Sequence, residues 1–300
     1  MSSLEFSQWA LAARQDLEAA LRQALEARAP AIRMRGDQRL HEAMAYGVLG
    51  GGKRIRALLA VAAGEAASAS RQDCIQVGAA IECIHAFSLV HDDMPCMDDD
   101  ALRRGQPTVH VKFGQSQALL VGDALQTLGF ELLTRLSVSA QQAIDLVRVM
   151  ARATGLQGMA GGQAVDIEAV GQEMSQEALQ AMHALKTGAL ISAAVEMGAL
   201  CGSISEQERS ALGRFAARVG LGFQVADDVL DVSADAQTLG KTPGKDAAAG
   251  KPTFVALLGL AGAQDYARGL HQSAIAELAA FGPRADRLRE VAQALLGRTH

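Results

Sequence analysis

The chain has 300 residues, of which 49% are hydrophobic, 20% are charged and only 4% are aromatic, and its formal net charge is −5. The high apolar fraction and the small net charge exclude intrinsic disorder. An excess of acidic residues, 33 against 28 basic ones, and the lack of a basic run argue against nucleic-acid binding. Only six of the basic residues are lysines, so each lysine is a candidate point charge for a phosphate group.

The cysteines and the N-terminal segment indicate the compartment. Cys74, Cys83, Cys96 and Cys201 form no CxxC pair and have no zinc-finger spacing, which is typical of a reduced, cytosolic protein. The first twenty residues lack a basic segment followed by an apolar core, so no signal peptide is expected. No uninterrupted apolar run reaches the ~18 residues of a membrane span. We therefore predict a cytoplasmic protein without a membrane span.

Apolar residues recur at steps of three and four along most of the chain, as Leu17, Leu21 and Leu25 do near the N-terminus. Alternating β-branched runs with hairpin turns are absent, and all six prolines fall at segment boundaries. The pattern predicts an all-α, single-domain chain of roughly ten or more helices. The predicted helical segments are 11–25, 40–49, 57–68, 73–93, 115–136, 140–155, 176–200, 206–231, 252–260, 264–280 and 284–297.

The first charged motif is the glycine-rich segment GGGKRIR at 50–56. It brings Lys53, Arg54 and Arg56 to the start of a predicted helix, where backbone N–H groups also favour anions. It does not have the GxxxxGK[ST] spacing of a P-loop. We interpret it as an anion-binding turn of another kind.

The second motif contains five aspartates within residues 92–100, directly after an apolar helix. Clustered carboxylates repel one another unless a cation neutralises them. Pro95 is expected to end the helix, which puts Asp92 in its last turn and Asp98 where the chain can fold back. Such carboxylates suit Mg²⁺, which typically takes one or two of them together with substrate phosphates. The alternative is a solvated acidic loop.

Cationic and imidazole side chains accompany this acidic motif. Arg103 and Arg104 follow it, and a guanidinium group can clamp phosphate oxygens in a bidentate manner. His85 lies seven residues before Asp92, two helical turns away on the same stripe, although a lone histidine is more often structural. We therefore treat all three as candidate substrate-binding residues.

The third motif places Gln224, Asp227, Asp228 and Asp231 on one stripe of a predicted helix whose other residues are apolar. An exposed polar face is the alternative, but a second acidic cluster in the same chain argues against it for both. Lys186 and Thr187 lie among apolar residues of another predicted helix, where the lysine needs a partner.

A Gly/Pro-punctuated loop at 239–251 contains Lys241, Lys245 and Lys251 and could close over a polyphosphate, unless it is only a mobile surface loop. One chemistry accounts for all of these motifs. Carboxylates on two sides of a site would bind diphosphates through metal ions, and Lys and Arg side chains would bind the phosphate oxygens directly. No P-loop and no Ser-His-Asp or Cys-His set is apparent.

Together these motifs resemble the trans-isoprenyl diphosphate synthase family, in its bacterial farnesyl-producing type. The resemblance runs from about residue 46 to 254 and includes GGKRIR at 51–56, ECIHAFSLVHDDMPCMDDDALRRG at 82–105, GMAGGQAVDIEA at 158–169, LKTGAL at 185–190 and FQVADDVLD at 223–231. The DDxxxxD spacing of the first acidic motif is that of the bacterial type. One departure is Ala57, where the family usually has Pro, and we expect no loss of chemistry from it.

The resemblance implies a bundle of helices around a central active-site cavity, a homodimer, and Mg²⁺-dependent condensation of isopentenyl diphosphate with dimethylallyl and then geranyl diphosphate. It implies three Mg²⁺ ions at Asp92, Asp98 and Asp227, supported by Asp93 and Asp231. Isopentenyl diphosphate would be bound by Lys53, Arg56, His85 and Arg104. The allylic diphosphate would be bound by Arg103, Lys186, Thr187, Gln224 and Lys241, with Lys251 as a further candidate. Lys186, Thr187 and Gln224 would also act on the developing cation.

Product length should depend on the residues below the first acidic motif. Phe87 and Ser88 precede Asp92 by five and four residues, which is roughly 6–7.5 Å along a helix. A ring at this position would end the pocket near a C15 chain, unless Phe87 is a plain core aromatic.

Three alternatives can be weighed on the same residues. A geranylgeranyl diphosphate synthase of the same family would differ in product length, and Phe87 favours the shorter chain. A class I terpene cyclase should lack the second DDxxD motif, so Asp227 and Asp231 argue against it. A non-catalytic subunit should have lost some of the acidic or phosphate-binding residues, and here all of them are present.

Overall fold

The computed structural model describes residues 3–29, 34–233 and 251–296, and nearly all of its secondary structure is helical. In the first half the elements are α1 (Ser3–Glu26), α2 (Arg35–Leu49), α3 (Ile55–Ala66), α4 (Arg71–Asp92), β1 (Leu102–Arg103), β2 (Gln106–Pro107), α5 (Val109–Phe113) and α6 (Gln115–Leu133). In the second half they are α7 (Ala140–Thr154), α8 (Met159–Glu168), α9 (Gln176–His183), a π-helical turn (Ala184–Gly188), α10 (Ala189–Leu200), α11 (Glu206–Ser233), α12 (Phe254–Glu277), a 3₁₀ segment (Ala279–Ala285) and α13 (Asp286–Leu296). The predicted all-α bundle with ten or more helices is confirmed.

Three features differ from the predicted segments. The segment predicted at 176–200 is divided by the π-helical turn, and the two segments predicted at 252–260 and 264–280 join in α12 across a kink at Gly259. The short helices α5 and α8 and the β1–β2 hairpin were not predicted. Helix α5 has only five residues, and α8 contains two glycines, which are poor helix formers, so neither shows a clear apolar period.

Helix α4 is the central helix of the bundle. It packs against α1, α3 and α6, and most of its residues are buried. Among the described residues it is the one helix whose length and composition would suffice to cross a membrane, but 67% of its apolar window is buried inside the fold. Its burial by neighbouring helices accounts for its apolar composition, because a helix that is covered on most sides must be apolar on most sides.

Parts of four elements surround a cavity of about 340 Å³. The segment that leads into α3 and the middle of α4 form one side, and α10 and α11 form the other. Helix α11 also packs along α12, where a second, smaller apolar cluster contains Val225, Val229 and Phe254. The cationic residues before α3 and Asp227 of the second acidic motif therefore line one cavity, on helices whose packing fixes their backbones.

Candidate active site

The glycine-rich turn before α3 is covered by a guanidinium group. Gly52 has φ +121°, and a Cβ at this position would lie 2.7 Å from Nη2 of Arg104. Arg104 and Gly105 form the two-residue turn of the β1–β2 hairpin with φ values of 53° and 75°, as a type I′ turn requires. Nη1 of Arg104 donates to the carbonyl oxygen of Gly51. The hairpin thus carries Arg104 onto the turn, beside the exposed Lys53.

Arg54, the middle cation of this motif, points into the protein. Its Nε donates to Glu18 Oε1 at 2.9 Å and its Nη1 to Glu82 Oε2 at 3.0 Å, and only 6% of the residue is exposed. Glu82 Oε1 also accepts a hydrogen bond from the backbone N–H of Ala57 at 3.4 Å. A proline at position 57 could not donate this bond. The expectation that all three cations of the motif bind a ligand anion is therefore wrong for Arg54. Its guanidinium group binds Glu18 and Glu82 and anchors the turn.

Arg56 and His85 face each other across the start of α3 and the middle of α4. Nη1 of Arg56 lies 3.2 Å from Nε2 of His85. Because a guanidinium group can only donate, Nε2 accepts and the imidazole proton is on Nδ1. Burial and the charges of Arg56 and Arg104 hold the pKa of His85 well below its usual range, so the ring is neutral. The buried Nε of Arg56 has no hydrogen-bond partner among the described residues.

These side chains line one cavity, whose volume is about 340 Å³. All four residues predicted to bind isopentenyl diphosphate contribute to it: Lys53, Arg56, His85 and Arg104. Asp227 of the second acidic motif lines the same cavity, together with the apolar side chains of Phe223 and Ile191. The cavity therefore combines a cationic side, a carboxylate from the opposite helix and an apolar wall.

The first acidic motif folds back on the end of α4, as predicted. The backbone N–H of Asp98 donates to the carbonyl oxygen of Asp92 at 2.8 Å. Burial raises the pKa of the Asp92 carboxyl to about 6, against the attraction of Lys186 and with a further contribution from the charge of Asp98. Asp93 is 3% exposed, and the single N–H at Nε of Arg103 is shared between its two oxygens at 2.8 and 2.9 Å, while Nη2 of Arg103 donates to Oδ1. Asp93 thus holds Arg103 beside the motif.

The lysines near the first acidic motif share one buried carboxylate. Lys186, on the π-helical turn, donates to Oδ2 of Asp166 at 2.6 Å. Nζ of Lys251 lies 3.8 Å from the same oxygen and 3.3 Å from Oδ1 of Asp98. Lone lysines among apolar residues need a partner, and Asp166 is that partner for Lys186. A π-helical turn of this kind is frequently found at functional sites.

The two adjacent aspartates of the second acidic motif have different roles. Thr187 Oγ1 donates to Oε1 of Gln224 at 3.2 Å, and Nε2 of Gln224 donates to Oδ1 of Asp228 at 3.0 Å. The other oxygen of Asp228 accepts the backbone N–H of Phe254 at 2.8 Å, at the start of α12. The predicted single stripe is therefore split. Asp228 faces inward and fixes α12 and Gln224, whereas Asp227 lines the cavity.

The two residues predicted to set product length lie on α4, both half-buried. The ring of Phe87 makes an edge contact with His91, with centroids 5.7 Å apart, and His91 lies against Gly122 of α6. Ser88 donates its hydroxyl proton to the backbone carbonyl of His85 at 2.9 Å. Phe87 therefore stands on the side of α4 that faces α6 and belongs to the margin of the core.

Two other lysine assignments have different outcomes. Lys241 and most of the predicted lid, including Lys245, fall outside the described residues. Lys112, for which the sequence offers no role, lies with its ammonium group 3.8 Å from the centre of the Tyr46 ring and 5.3 Å from that of Phe113. Lys112 therefore makes cation–π contacts between α5 and α2 and is not part of the site.

The donor set near the cavity suits a hard divalent cation. Within residues 3–29, 34–233 and 251–296, no three His, Cys, Asp or Glu side chains come close enough to hold a metal ion by themselves. Asp92, Asp98 and Asp227 could each supply one carboxylate and leave the remaining positions to substrate oxygens, as is usual for Mg²⁺. Burial raises the pKa of Asp92, and a bound cation would lower it again and keep this carboxyl group ionised.

The site contains one residue that the sequence motifs did not identify. Asp166 is 4% exposed and lies at the end of the GMAGGQAVDIEA segment, where no role was predicted for it. Gly162, one turn earlier, lies so close to the π-helical turn that a Cβ there would be 2.2 Å from the backbone nitrogen of Lys186. An aspartate one turn after a GG pair gives no signal of its own in the sequence, because its lysine partners are remote along the chain.

Comparisons with known proteins agree with this geometry. The polyprenyl synthetase family matches residues 37–281. A probable farnesyl diphosphate synthase of Sinorhizobium fredii is 50% identical over 86% of this chain and 79% of its own length. A chloroplastic geranylgeranyl pyrophosphate synthase of Catharanthus roseus is 41% identical over 84% of this chain and 72% of its own length. The crystal structure of a Helicobacter pylori geranyltransferase, complexed with magnesium and isoprenyl diphosphate, aligns with a TM-score of 0.84 at 34% identity and covers 99% of this chain and 98% of that one. The chain therefore belongs to the polyprenyl synthetase family.

Proposed function

We propose that this chain catalyses the head-to-tail (1′-4) condensation of isopentenyl diphosphate with dimethylallyl diphosphate and then with geranyl diphosphate, giving farnesyl diphosphate and inorganic diphosphate. Family membership supports a prenyltransferase. The observation that carries the proposal is the shared cavity of about 340 Å³, which Arg56, His85 and Arg104 line together with Asp227. A cationic pocket and a metal-binding carboxylate on opposite sides are what two diphosphate substrates need.

Isopentenyl diphosphate binds at the cationic side, through Lys53, Arg56, His85 and Arg104. Arg56 has a buried, unbonded Nε that can donate to a phosphate oxygen. His85 is neutral and carries its proton on Nδ1, so it can donate one hydrogen bond without adding a full charge. This donor set holds the diphosphate group and leaves the isopentenyl chain against the apolar wall.

The allylic diphosphate binds at the acidic side. Asp92, Asp98 and Asp227 would hold up to three Mg²⁺ ions there, with Asp93 and Asp231 as buried supporting acids. When bound, the metal neutralises the diphosphate and makes it a better leaving group. Lys251 and Arg103 are paired with Asp98 and Asp93, and the charge of Lys186 acts on Asp92. These three cations would bind the remaining phosphate oxygens. Lys241 is proposed for the same role on the basis of family resemblance alone.

Bond breaking leaves an allylic cation, which the side chains of the π-helical turn and α11 would stabilise. The carbon–oxygen bond breaks and its electron pair leaves with the diphosphate. The double bond of isopentenyl diphosphate then forms the new carbon–carbon bond, and a proton passes to the released diphosphate. Thr187 and Gln224 direct oxygen dipoles towards the cation, and the hydrogen bond to Asp228 fixes the amide orientation of Gln224. Phe223 and Ile191 exclude water from this step.

We also propose that elongation ends at C15 because the Phe87 ring, five residues before Asp92 on α4, closes the pocket below the first acidic motif. A C20 product is the second candidate, since the relatives include a geranylgeranyl pyrophosphate synthase as well as a farnesyl diphosphate synthase. Ser88, the other residue at this depth, is small and bonds to the backbone of its own helix, so we assign the limiting role to Phe87.

For the assembly we propose a single-domain chain that forms a homodimer in the cytoplasm. Leu119 and Leu120 on α6 support the dimer, because they are 49% and 47% exposed on a helix whose other side is buried. Light scattering coupled to gel filtration would test it, and a monomer at micromolar concentration would contradict it.

The function is tested by incubating the purified chain with isopentenyl diphosphate and either allylic starter, with Mg²⁺ or with EDTA. Diphosphate release and product chromatography are the measurements. We expect release in Mg²⁺ only, with farnesyl diphosphate as the end product from both starters. No turnover with either starter would favour a non-catalytic subunit, and a C20 end product would favour the second candidate.

A further inference from the structure

One carboxylate organises the lysines of the site. Asp166 on α8 is 4% exposed, and its Oδ2 accepts a hydrogen bond from Lys186 at 2.6 Å, with Lys251 Nζ at 3.8 Å. A buried carboxylate requires counter-charges. These two lysines come from parts of the chain 65 residues apart, 186 and 251. They meet at a single oxygen atom of one side chain.

The same arrangement continues to the first acidic motif. Lys251 also lies 3.3 Å from Oδ1 of Asp98, so charges alternate in the order Lys186, Asp166, Lys251 and Asp98. Lys251 lies three residues before α12, whose first backbone N–H is held by Asp228. The row of charges therefore connects the π-helical turn, α8, the start of α12 and the loop after α4.

The backbone is shaped to keep Asp166 at this position. Gly162 lies one helical turn before Asp166, and a Cβ at Gly162 would come 2.2 Å from the backbone nitrogen of Lys186 and 2.6 Å from its Cα. Only glycine permits this approach of α8 to the π-helical turn. The close packing places the end of α8 within reach of a lysine side chain.

We propose that Asp166 is the positioning residue of the allylic diphosphate clamp, holding the ammonium groups of Lys186 and Lys251 side by side before substrate arrives. Lysine has a long, flexible stem that loses rotamer freedom when it binds a phosphate. Asp166 has already removed much of that freedom, so the cost of ordering the side chains on binding is smaller. The inference rests on the proposed function and assigns a role to a residue that has no place in it so far.

The proposal predicts a defect on one side of the site only. Asp166 does not contribute to the cavity wall that contains Arg56, His85 and Arg104. In Asp166→Asn we expect inorganic diphosphate with Mg²⁺ to bind about 10- to 100-fold more weakly by calorimetry, the usual effect of losing a charge-assisted hydrogen bond. The KM for the allylic substrate should rise with it, whereas the KM for isopentenyl diphosphate should stay within about twofold.

Asp73→Asn is the matched control. Asp73 is 5% exposed, similar to Asp166, but its Oδ1 accepts the backbone N–H of Ser137 at 2.8 Å, far along the chain from the lysines. Removing this carboxylate should lower the melting temperature without changing the affinity for diphosphate. Equal losses of diphosphate affinity in the Asp73 and Asp166 variants would show a merely structural effect and overturn the proposal.

Two further variants keep the test decisive if Asp166→Asn folds poorly. Asp166→Glu retains the charge and should bind diphosphate with intermediate affinity, and Gly162→Ala should weaken binding by moving an intact Asp166 away from Lys186. Wild-type affinity in a well-folded Asp166→Asn would overturn the proposal, and so would wild-type affinity in well-folded Asp166→Glu and Gly162→Ala if Asp166→Asn does not fold. Diphosphate binding by a wild-type chain that shows no prenyl transfer would contradict the proposed function alone, because the calorimetric comparison does not depend on turnover.

Discussion

The two sides of the site balance their charges differently. On the cationic side, Arg56 and Arg104 line the cavity, and among the described residues their guanidinium groups meet no carboxylate at hydrogen-bond distance. The nearby Glu82 is bonded to Arg54. On the acidic side, the described lysines already have carboxylate partners, as Lys186 does in Asp166 and Lys251 in Asp98. One side offers cations directly to an anion, whereas the other holds acids and cations that neutralise each other.

This difference indicates two modes of diphosphate binding. The cationic side needs no rearrangement, and its neutral His85 adds a donor without further repulsion among the arginines. The acidic side must exchange partners, because a metal at Asp98 competes with the ammonium group of Lys251. Binding there should therefore depend on Mg²⁺ and on both groups together, whereas binding at the cationic side should not.

The largest expected effect is a loss of kcat caused by a change on the acidic side. Asp98→Asn removes one proposed metal ligand and the partner of Lys251, and we expect kcat to fall by about 10³-fold or more, since such a ligand contributes several kcal/mol of charge stabilisation. The measurement is diphosphate release over a range of Mg²⁺ concentrations, with isopentenyl diphosphate binding followed separately. Asp99→Asn is the control, because Asp99 is exposed in the same loop. Turnover within threefold of wild type, or equal losses in both variants, would contradict the assignment of Asp98.

A large effect on stability is expected from the support of the cationic side. Glu82→Gln leaves the buried Arg54 without one of its two carboxylates, and breaking a buried ion pair costs about 3–5 kcal/mol of unfolding free energy. Glu131→Gln weakens partly exposed pairs with Arg28 and Arg135 and should cost about 1 kcal/mol or less. Urea unfolding of both variants is the measurement. Similar losses in the two variants would show that Arg54 is not held as the structure indicates.

The same contrast explains what the sequence could predict. The cationic residues and the carboxylates were identified because charged residues in apolar helices stand out, and the fold-back of Asp98 onto Asp92 followed from Pro95. The inward direction of Arg54 was not predictable, because it depends on Glu18 and Glu82 from two other helices.

The acidic side was the less predictable of the two. Asp166 gave no signal of its own, since its partners Lys186 and Lys251 are remote in sequence and meet it only after α8 packs on the π-helical turn. The π-helical turn interrupts a segment whose apolar period is continuous, so periodicity predicts one helix there. Helical period and local charge are properties of a segment, whereas long-range ion pairs are properties of the packed fold.

A smaller effect concerns the metal-free protein. The folded-state pKa of Asp92, about 6, is above its ordinary value of 3.8. The carboxyl therefore contributes stability that is present below about pH 4 and is lost as the pH rises through 6. In EDTA, Asp92→Asn should be more stable than wild type by about 1–2 kcal/mol at pH 8, with a smaller gain at pH 5, as partial burial of the carboxylate implies. Thermal unfolding at the two pH values is the measurement, and a gain that does not grow with pH would contradict the raised pKa.

The smallest change in rate is expected for the Phe87 variant, whose product length distinguishes the two candidate products. Phe87→Ala removes the ring that contacts His91 beside α6 and leaves the diphosphate-binding residues in place, so the first condensation should stay within about threefold of wild type, as expected for a residue outside the reacting groups. The space left by the ring should let elongation continue, and chromatography should show C20 or longer products in place of C15.

Phe130→Ala is the matched control, because Phe130 is a half-buried aromatic of α6 that packs on the same core. Its end product should remain C15, since no acidic motif lies within one or two turns of it. A Phe87→Ala enzyme that still stops at C15 would make Phe87 a plain core aromatic, and the end of the pocket would then have to be sought elsewhere along α4 and α6.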